Sequence, residues 1–244
     1  MKLNTINLKV LLVDSDYYAL QMINSYLAWD RRTRVTAMAE SIDEMWEKLN
    51  ETPLAELPDA IIIDSDHAGG PHALKQTIQT LRKKIENVAV YCLAQFADLG
   101  LIEAAIEAGA RGYFLKGEVR LQIAWAVVYG IEYDFILTGT IGRIAEHAIF
   151  THYQRPFTLP KRREYPELTE RIRQAIELCV VRGMPAHLAA DEMGISLHTI
   201  RSYIKEGYRI LEAYDETEYP TDMSPQERAF MRLTRIKDEN DDTK

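Results

Sequence analysis

Three apolar runs carry the reading of the fold: VLLVDSD at Val10–Asp16, AIIIDSD at Ala60–Asp66 and GARGYFLKG at Gly109–Gly117. Each has the length and composition of a strand. Each also delivers a charged side chain at its carboxyl end: Asp14, Asp64 and Lys116. With two further β-branched runs, strands are expected at Val10–Val13, Val35–Ala39, Ala60–Ile63, Val88–Leu93 and Gly112–Leu115. Helix-period segments separate them, at Tyr17–Ala28, Ile42–Asn50, His72–Ile85, Leu99–Ala108 and Val119–Tyr129. Ser41 followed three residues later by Glu44 is a capping-box signature for the second helix. Five βα repeats with short connections predict an α/β domain, a (βα)5 doubly wound parallel sheet. In such a sheet the site forms outside the carboxyl ends of the strands. Two acids and a lysine at that edge suit a divalent cation and a phosphoryl group.

A chain of 244 residues suits two domains. Four segments are expected: 1–130, the α/β domain; 131–160, a linker with a short helix at Ile141–His152; 161–213, an all-α domain; and 214–244, a tail. The linker reading rests on a Thr-Gly-Thr break and on the proline-containing stretch RPFTLPKRREYP, which suggests a semi-rigid spacer. No apolar run approaches the ~20 residues that span a bilayer, and MKLNTINLKVLLV has no cleavage-site pattern. Cys92 and Cys179 fall in expected core segments of different domains and read as reduced thiols of a cytoplasmic protein. The six histidines show no zinc spacing. The net charge of −8 is unevenly spread: 9–130 and the residues after Tyr214 are acidic, whereas 161–213 is close to neutral. That leaves the cations relatively concentrated in one segment, weak support for nucleic-acid contact.

From Leu168 the pattern becomes helical. LTERIRQAIELCVVRG ends at Gly183, PAHLAADEMG at Gly194, and SLHTIRSYIKEGYRILEA runs from Ser196, an N-cap, to about Ala213. A short turn between the last two makes a helix-turn-helix. Leu188, Ala189, Met193, Ile195 and Ile200 are expected between those helices. A final amphipathic helix is expected from Ser224 (N-cap) and Pro225 to about Ile236, its apolar face formed by Phe230, Met231, Leu233 and Ile236. That face packs on its own domain or contacts a partner.

The order and flanks of Asp14, Asp64 and Lys116 resemble the receiver domain of bacterial response regulators over roughly Lys9–Gly130. The resemblance implies that Asp64 is the phospho-acceptor, with Asp14, Asp64 and the residue at Ser15 around Mg²⁺ and Lys116 on the phosphoryl group. Receivers usually carry a second acid where this chain has Ser15, with Asp16 one place onward. They keep Thr or Ser at the end of strand 4, where this chain has Ala94, and Tyr113 takes the aromatic switch position. The loop SDHAGGPHA after Asp64 also lacks the usual Met-Pro-Gly order. The expectation is an atypical receiver, phosphorylated weakly or not at all.

Residues 168–213 resemble the DNA-binding domain of NarL/LuxR-type regulators, through LT at Leu168–Thr169, Gly183, LA at Leu188–Ala189, GIS at Gly194–Ser196 and TIRSY at Thr199–Tyr203. The segment also resembles the terminal helix-turn-helix of sigma factors. The resemblance implies a last helix in the major groove, with Thr199, Arg201, Ser202 and Lys205 on its outer face. Lys205 and Arg209 are expected on phosphates, and Arg201 or His198 on a base edge. Double-stranded DNA, a second copy of the chain and a sensor histidine kinase are the implied partners, with no membrane. The whole reads as a DNA-binding transcriptional regulator of the two-component type and not an enzyme. The alternative is a protein-interaction module with no DNA target.

Overall fold

The computed structural model describes residues 7–160, 164–214, 217 and 219–235. The chain forms two compact units, 1–161 and 162–244.

The first unit is built on a parallel sheet: β1 (Leu8–Val13), β2 (Thr33–Ala39), β3 (Ala60–Asp64), β4 (Ala89–Ala94), β5 (Gly112–Leu115), β6 (Phe135–Leu137) and β7 (Pro156–Thr158). Their order across the sheet is β2-β1-β3-β4-β5-β6-β7. Among the helices are α1 (Tyr17–Ala28), α2 (Ile42–Glu51), α3 (Pro71–Lys84) and α4 (Leu99–Glu107). Next come α5 (Lys116–Val119), α6 (Ile123–Tyr129), α7 (Gly139–Ile144) and α8 (Glu146–His152). Strand alternation divides the core. Leu11, Ile61, Ile63, Val90 and Cys92 face a layer with Met45, Ile78, Ile102 and Ile149. Val10, Leu12, Ile62, Tyr91 and Leu93 face one with Leu20, Leu27, Ile123 and Val127. Each fully buried aliphatic side chain contributes about 1.5–3 kcal/mol, so burial on both faces explains strands that are apolar throughout.

The five expected strands are present, and the sheet then continues through 131–160, which is not a spacer. Phe135, Ile136 and Leu137 are at most 2% exposed, as is Ile149 on α8. A three-residue apolar run is too short to announce a strand by periodicity, but Gly112 makes room for it. A Cβ on Gly112 would lie 2.5 Å from the Ile136 carbonyl oxygen. Tyr153 stacks on Phe135 with ring centroids 4.5 Å apart, and Tyr133 on Phe157 at 4.2 Å. The Tyr153 hydroxyl donates to the Ala110 carbonyl at 2.5 Å. Pro156 is tolerated because it opens an edge strand. The helix expected over Val119–Tyr129 is also interrupted: α5 ends at Val119, Arg120 has φ +41°, and α6 starts at Ile123.

Asp30 and Arg32, in the turn between α1 and β2, form a buried bidentate pair, Nε–Oδ1 2.9 Å and Nη2–Oδ2 2.7 Å. The guanidinium lies 4.0 Å over the Trp125 ring of α6. Of the expected capping box, Ser41 accepts from the Glu44 amide, but the Glu44 carboxylate accepts from the Glu40 amide.

The second unit holds α9 (Glu170–Ile176), continued by one π-helical turn over Glu177–Val181, then α10 (Ala186–Met193), α11 (Leu197–Ala213) and α12 (Pro225–Thr234). Ala189, Met193 and Ile200 are buried between helices as expected, and Ile195 is partly so. Leu188 is instead 48% exposed, and Ala190 is buried in its stead. Neighbours on a helix point about 100° apart, so Ala189 and Ala190 together fix a face that excludes Leu188. Phe230, Met231 and Leu233 of α12 are buried in their own unit, while Ile236 lies outside the described residues. Ser224 and Glu227 form a reciprocal capping box at the start of α12.

Candidate functional site

β1, β3 and β5 bring Asp14, Asp64 and Lys116 together at one sheet edge. The Lys116 ammonium is 2.7 Å from Asp14 Oδ2 and 3.6 Å from Asp64 Oδ2. Both carboxylates are buried. Beside them opens a cleft of about 450 Å³, whose walls include Ser15, Glu40, Asp43 and His67. Burial pushes the Asp64 carboxyl above its ordinary range, outweighing the hydrogen bond from His67 and the charge of Lys116. Burial alone would lower the Lys116 amine, but its bond to Asp14 and the nearby carboxylate charges win and hold it above its ordinary value.

His67, which sequence reasoning passed over, places Nδ1 2.6 Å from Asp64 Oδ2 while its ring stays largely exposed. That bond raises the imidazole above its ordinary value. Asp16 caps α1 by accepting from the amides of Tyr18 and Ala19, so it does not replace a second acid in the site. Ser15 is exposed. Ala94, fully buried, offers no hydroxyl, and Tyr113 is buried with its own hydroxyl 2.9 Å from Ser65 Oγ. The tyrosine is thus tied down from the loop after β3. The place of Ser65, one residue after Asp64, is the only sign of this in the sequence.

Asp14 and Asp64 are two carboxylates at one edge and would hold Mg²⁺, an ion that is usually bound through one or two carboxylates and several waters. Asp14 Oδ1 accepts from the Asp16 amide at 2.9 Å, and Oδ2 from Lys116. Asp64 Oδ1 accepts from the Asp66 amide at 3.2 Å, and Oδ2 is bonded to His67. Each oxygen of the two acids thus has one hydrogen-bond partner and a lone pair to spare, while Ser15 brings no third carboxylate. Among the described residues, no three His, Cys, Asp or Glu side chains gather into a metal-binding group.

In the second unit, Gly194 closes α10 in a left-handed conformation (φ +65°), and Ser196 caps α11 by accepting from the Thr199 amide at 3.0 Å. A turn of three residues, Gly194–Ser196, thus separates the two helices. His198, Arg201, Ser202 and Lys205 are exposed along α11, and Thr199 is partly so, its hydroxyl 2.8 Å from Ser196 Oγ. Ser202 donates back to the His198 carbonyl. Arg209 is exposed too, but Glu206 holds it in a bidentate pair, with Nε–Oε2 2.9 Å and Nη2–Oε1 2.6 Å. Gly207 is buried, and a Cβ there would come within 2.6 Å of Ile176. The glycine lets α11 approach α9 closely, which offsets its cost of ~1 kcal/mol in a helix interior.

No family model matches the sequence, and no curated protein matches it. Among solved structures, the chain is similar to the signal receiver domain of the response regulator NarL from Mycobacterium tuberculosis. The identity is 20% and the TM-score 0.44, over 50% of this chain and 94% of that one. It is similar to the RcsB response regulator of Salmonella typhimurium at 15% identity and TM-score 0.49, over 88% of this chain and 95% of that one. It is also similar to a response regulator from Thermotoga maritima at 23% identity and TM-score 0.44, over 52% and 99% of the two chains. These values describe a likeness of fold and assign neither activity nor partner.

Proposed function

We propose that the chain is a DNA-binding transcriptional regulator of the response-regulator type, whose receiver-like unit works without phosphorylation or with little of it. One observation carries this reading: a capped helix, α11, set off from α10 by a three-residue turn, with His198, Arg201, Ser202 and Lys205 exposed along it. Such a helix fits the major groove, its N-terminal residues nearest the base edges. Arg201 or His198 suits a base edge and Lys205 a phosphate, whereas Arg209 reaches phosphate only at the expense of its pair with Glu206. Two copies would present their α11 helices about 34 Å apart on a pseudo-palindromic site. The protein acts in the cytoplasm as a regulator, not as an enzyme, and a sensor kinase is not required.

Fluorescence anisotropy with duplex DNA across a salt series tests the reading. Binding that weakens steeply with salt is expected. Lys205→Ala should weaken it on every duplex and flatten the salt slope by about one unit. Asp64→Asn should leave affinity within about threefold, that is ~0.65 kcal/mol at RT ≈ 0.59 kcal/mol. Absence of binding at low salt, with a stable protein complex recovered from lysate, would favour the interaction-module reading.

A further inference from the structure

The residue two places beyond Asp64 has no part in the site as read from the sequence, yet it makes a short contact there. Asp66 Oδ2 accepts from the backbone amide of Gln95 at 2.5 Å. Pairing of β3 with β4 ends with Asp64 opposite Leu93. Counting two residues onward on each strand reaches Asp66 and Gln95, so a side chain supplies the next rung where the backbone ladder stops. The neighbouring rungs are also side-chain bonds. Ser65 Oγ donates to the Leu93 carbonyl at 3.3 Å and meets the Tyr113 hydroxyl, tying the same loop to β4 and β5.

The Gln95 amide is a donor at the carboxyl end of β4, where Ala94 has no hydroxyl to add. A phosphoryl group on Asp64 would need donors in this place besides Lys116, and would bring its own negative charge against the Asp66 carboxylate. Like charges confined at such a site repel. The Asp66 charge is also among those that raise Lys116 and His67 above their ordinary values.

We infer that Asp66 is an internal oxyanion: its carboxylate holds the Gln95 amide in place of an external phosphoryl group and keeps the loops after β3 and β4 in one arrangement. The inference rests on the receiver-like reading of the Asp14, Asp64 and Lys116 edge, and not on whether the second unit binds DNA. It gives the departures at Ser15 and Ala94 a common outcome, since a site that supplies its own anion has no use for either missing group.

The test is carried out on the full chain with ¹⁵N-labelled glutamine, the Gln95 amide being assigned by its loss in Gln95→Asn. In the wild type its proton should resonate far downfield and stay in place when beryllofluoride is added with Mg²⁺. In Asp66→Ala the downfield shift should be lost, and beryllofluoride should then move the amide. Asp66→Asn keeps an oxygen for the amide but no charge, and should show an intermediate shift with the fold preserved. A wild-type amide that moves with beryllofluoride would overturn the inference. So would an Asp66→Ala amide that keeps its shift, or one that loses it and still ignores the probe. None of these results depends on DNA affinity, so a failure here is distinct from a failure of the salt-dependent binding above.

Discussion

The Ile136 carbonyl oxygen lies where no side chain on Gly112 could be accommodated, 2.5 Å from the position its Cβ would take. The atom in the way is backbone, and it belongs to the strand paired with β5. Gly112→Ala should therefore push β6 from β5 and destabilise the first unit by about 1–3 kcal/mol, the range for overpacking a filled interior. Urea unfolding gives the magnitude. Hydrogen exchange gives the place: amides of Phe135–Leu137 should exchange faster than those of β3.

Breaking a buried ion pair leaves one charge without its partner. Arg32→Ala should cost about 3–5 kcal/mol, because Asp30 stays behind and the Trp125 face loses its cation. Replacing both residues by apolar ones of similar volume should cost much less, and the difference is measurable in a double-mutant cycle. Equal costs would mean that the pair does not act as a unit.

His67 gives a pH dependence whose sign follows from its contact with Asp64. Its imidazole is raised above the ordinary value near 6.5. The stabilisation from the protonated form is then fully present below about pH 6.5 and is lost as pH rises through the higher value in the folded protein. An NMR titration of the ring should show the raised midpoint, and Asp64→Asn should return it toward the ordinary range. An unchanged midpoint in that variant would remove Asp64 as the cause.

Glu206 neutralises the Arg209 guanidinium one turn beyond Lys205. Glu206→Gln should release it for phosphate contact, tighten binding to duplexes regardless of sequence and steepen the salt slope by about one unit. Arg209→Ala in the otherwise unaltered chain should change little. A large loss in that variant would show that the pair opens on DNA.

Long, strongly patterned elements were legible from the residues alone. The five strands that end in or flank Asp14, Asp64 and Lys116 were there to be read, as was α11, because unbroken apolar runs and a helical period leave few alternatives. β6 and β7 were not, since each spans three residues and Pro156 argues against a strand unless the strand lies at an edge. Leu188 was misplaced because the burial of a small residue such as Ala190 leaves little trace in a hydrophobic pattern. In the site, identities were readable but engagements were not. Asp14, Asp64 and Lys116 could be named from their strand ends, whereas the bonds of His67, Ser65 and Asp66 depend on where the turn after β3 places each side chain. Gly207, a residue that costs stability in a helix interior, is in α11 a packing requirement set by Ile176 on another helix.

The short strand β7 has a bearing on how copies of this chain can meet. A sheet margin normally invites a neighbouring strand, because its amides and carbonyls stand open in a row. Here that margin is three residues long, and its first, Pro156, has no amide hydrogen to give. An approaching strand would find too few rungs to climb on that side. Assembly of the first units along this border must therefore use side-chain surfaces rather than a sheet continued from one molecule into the next.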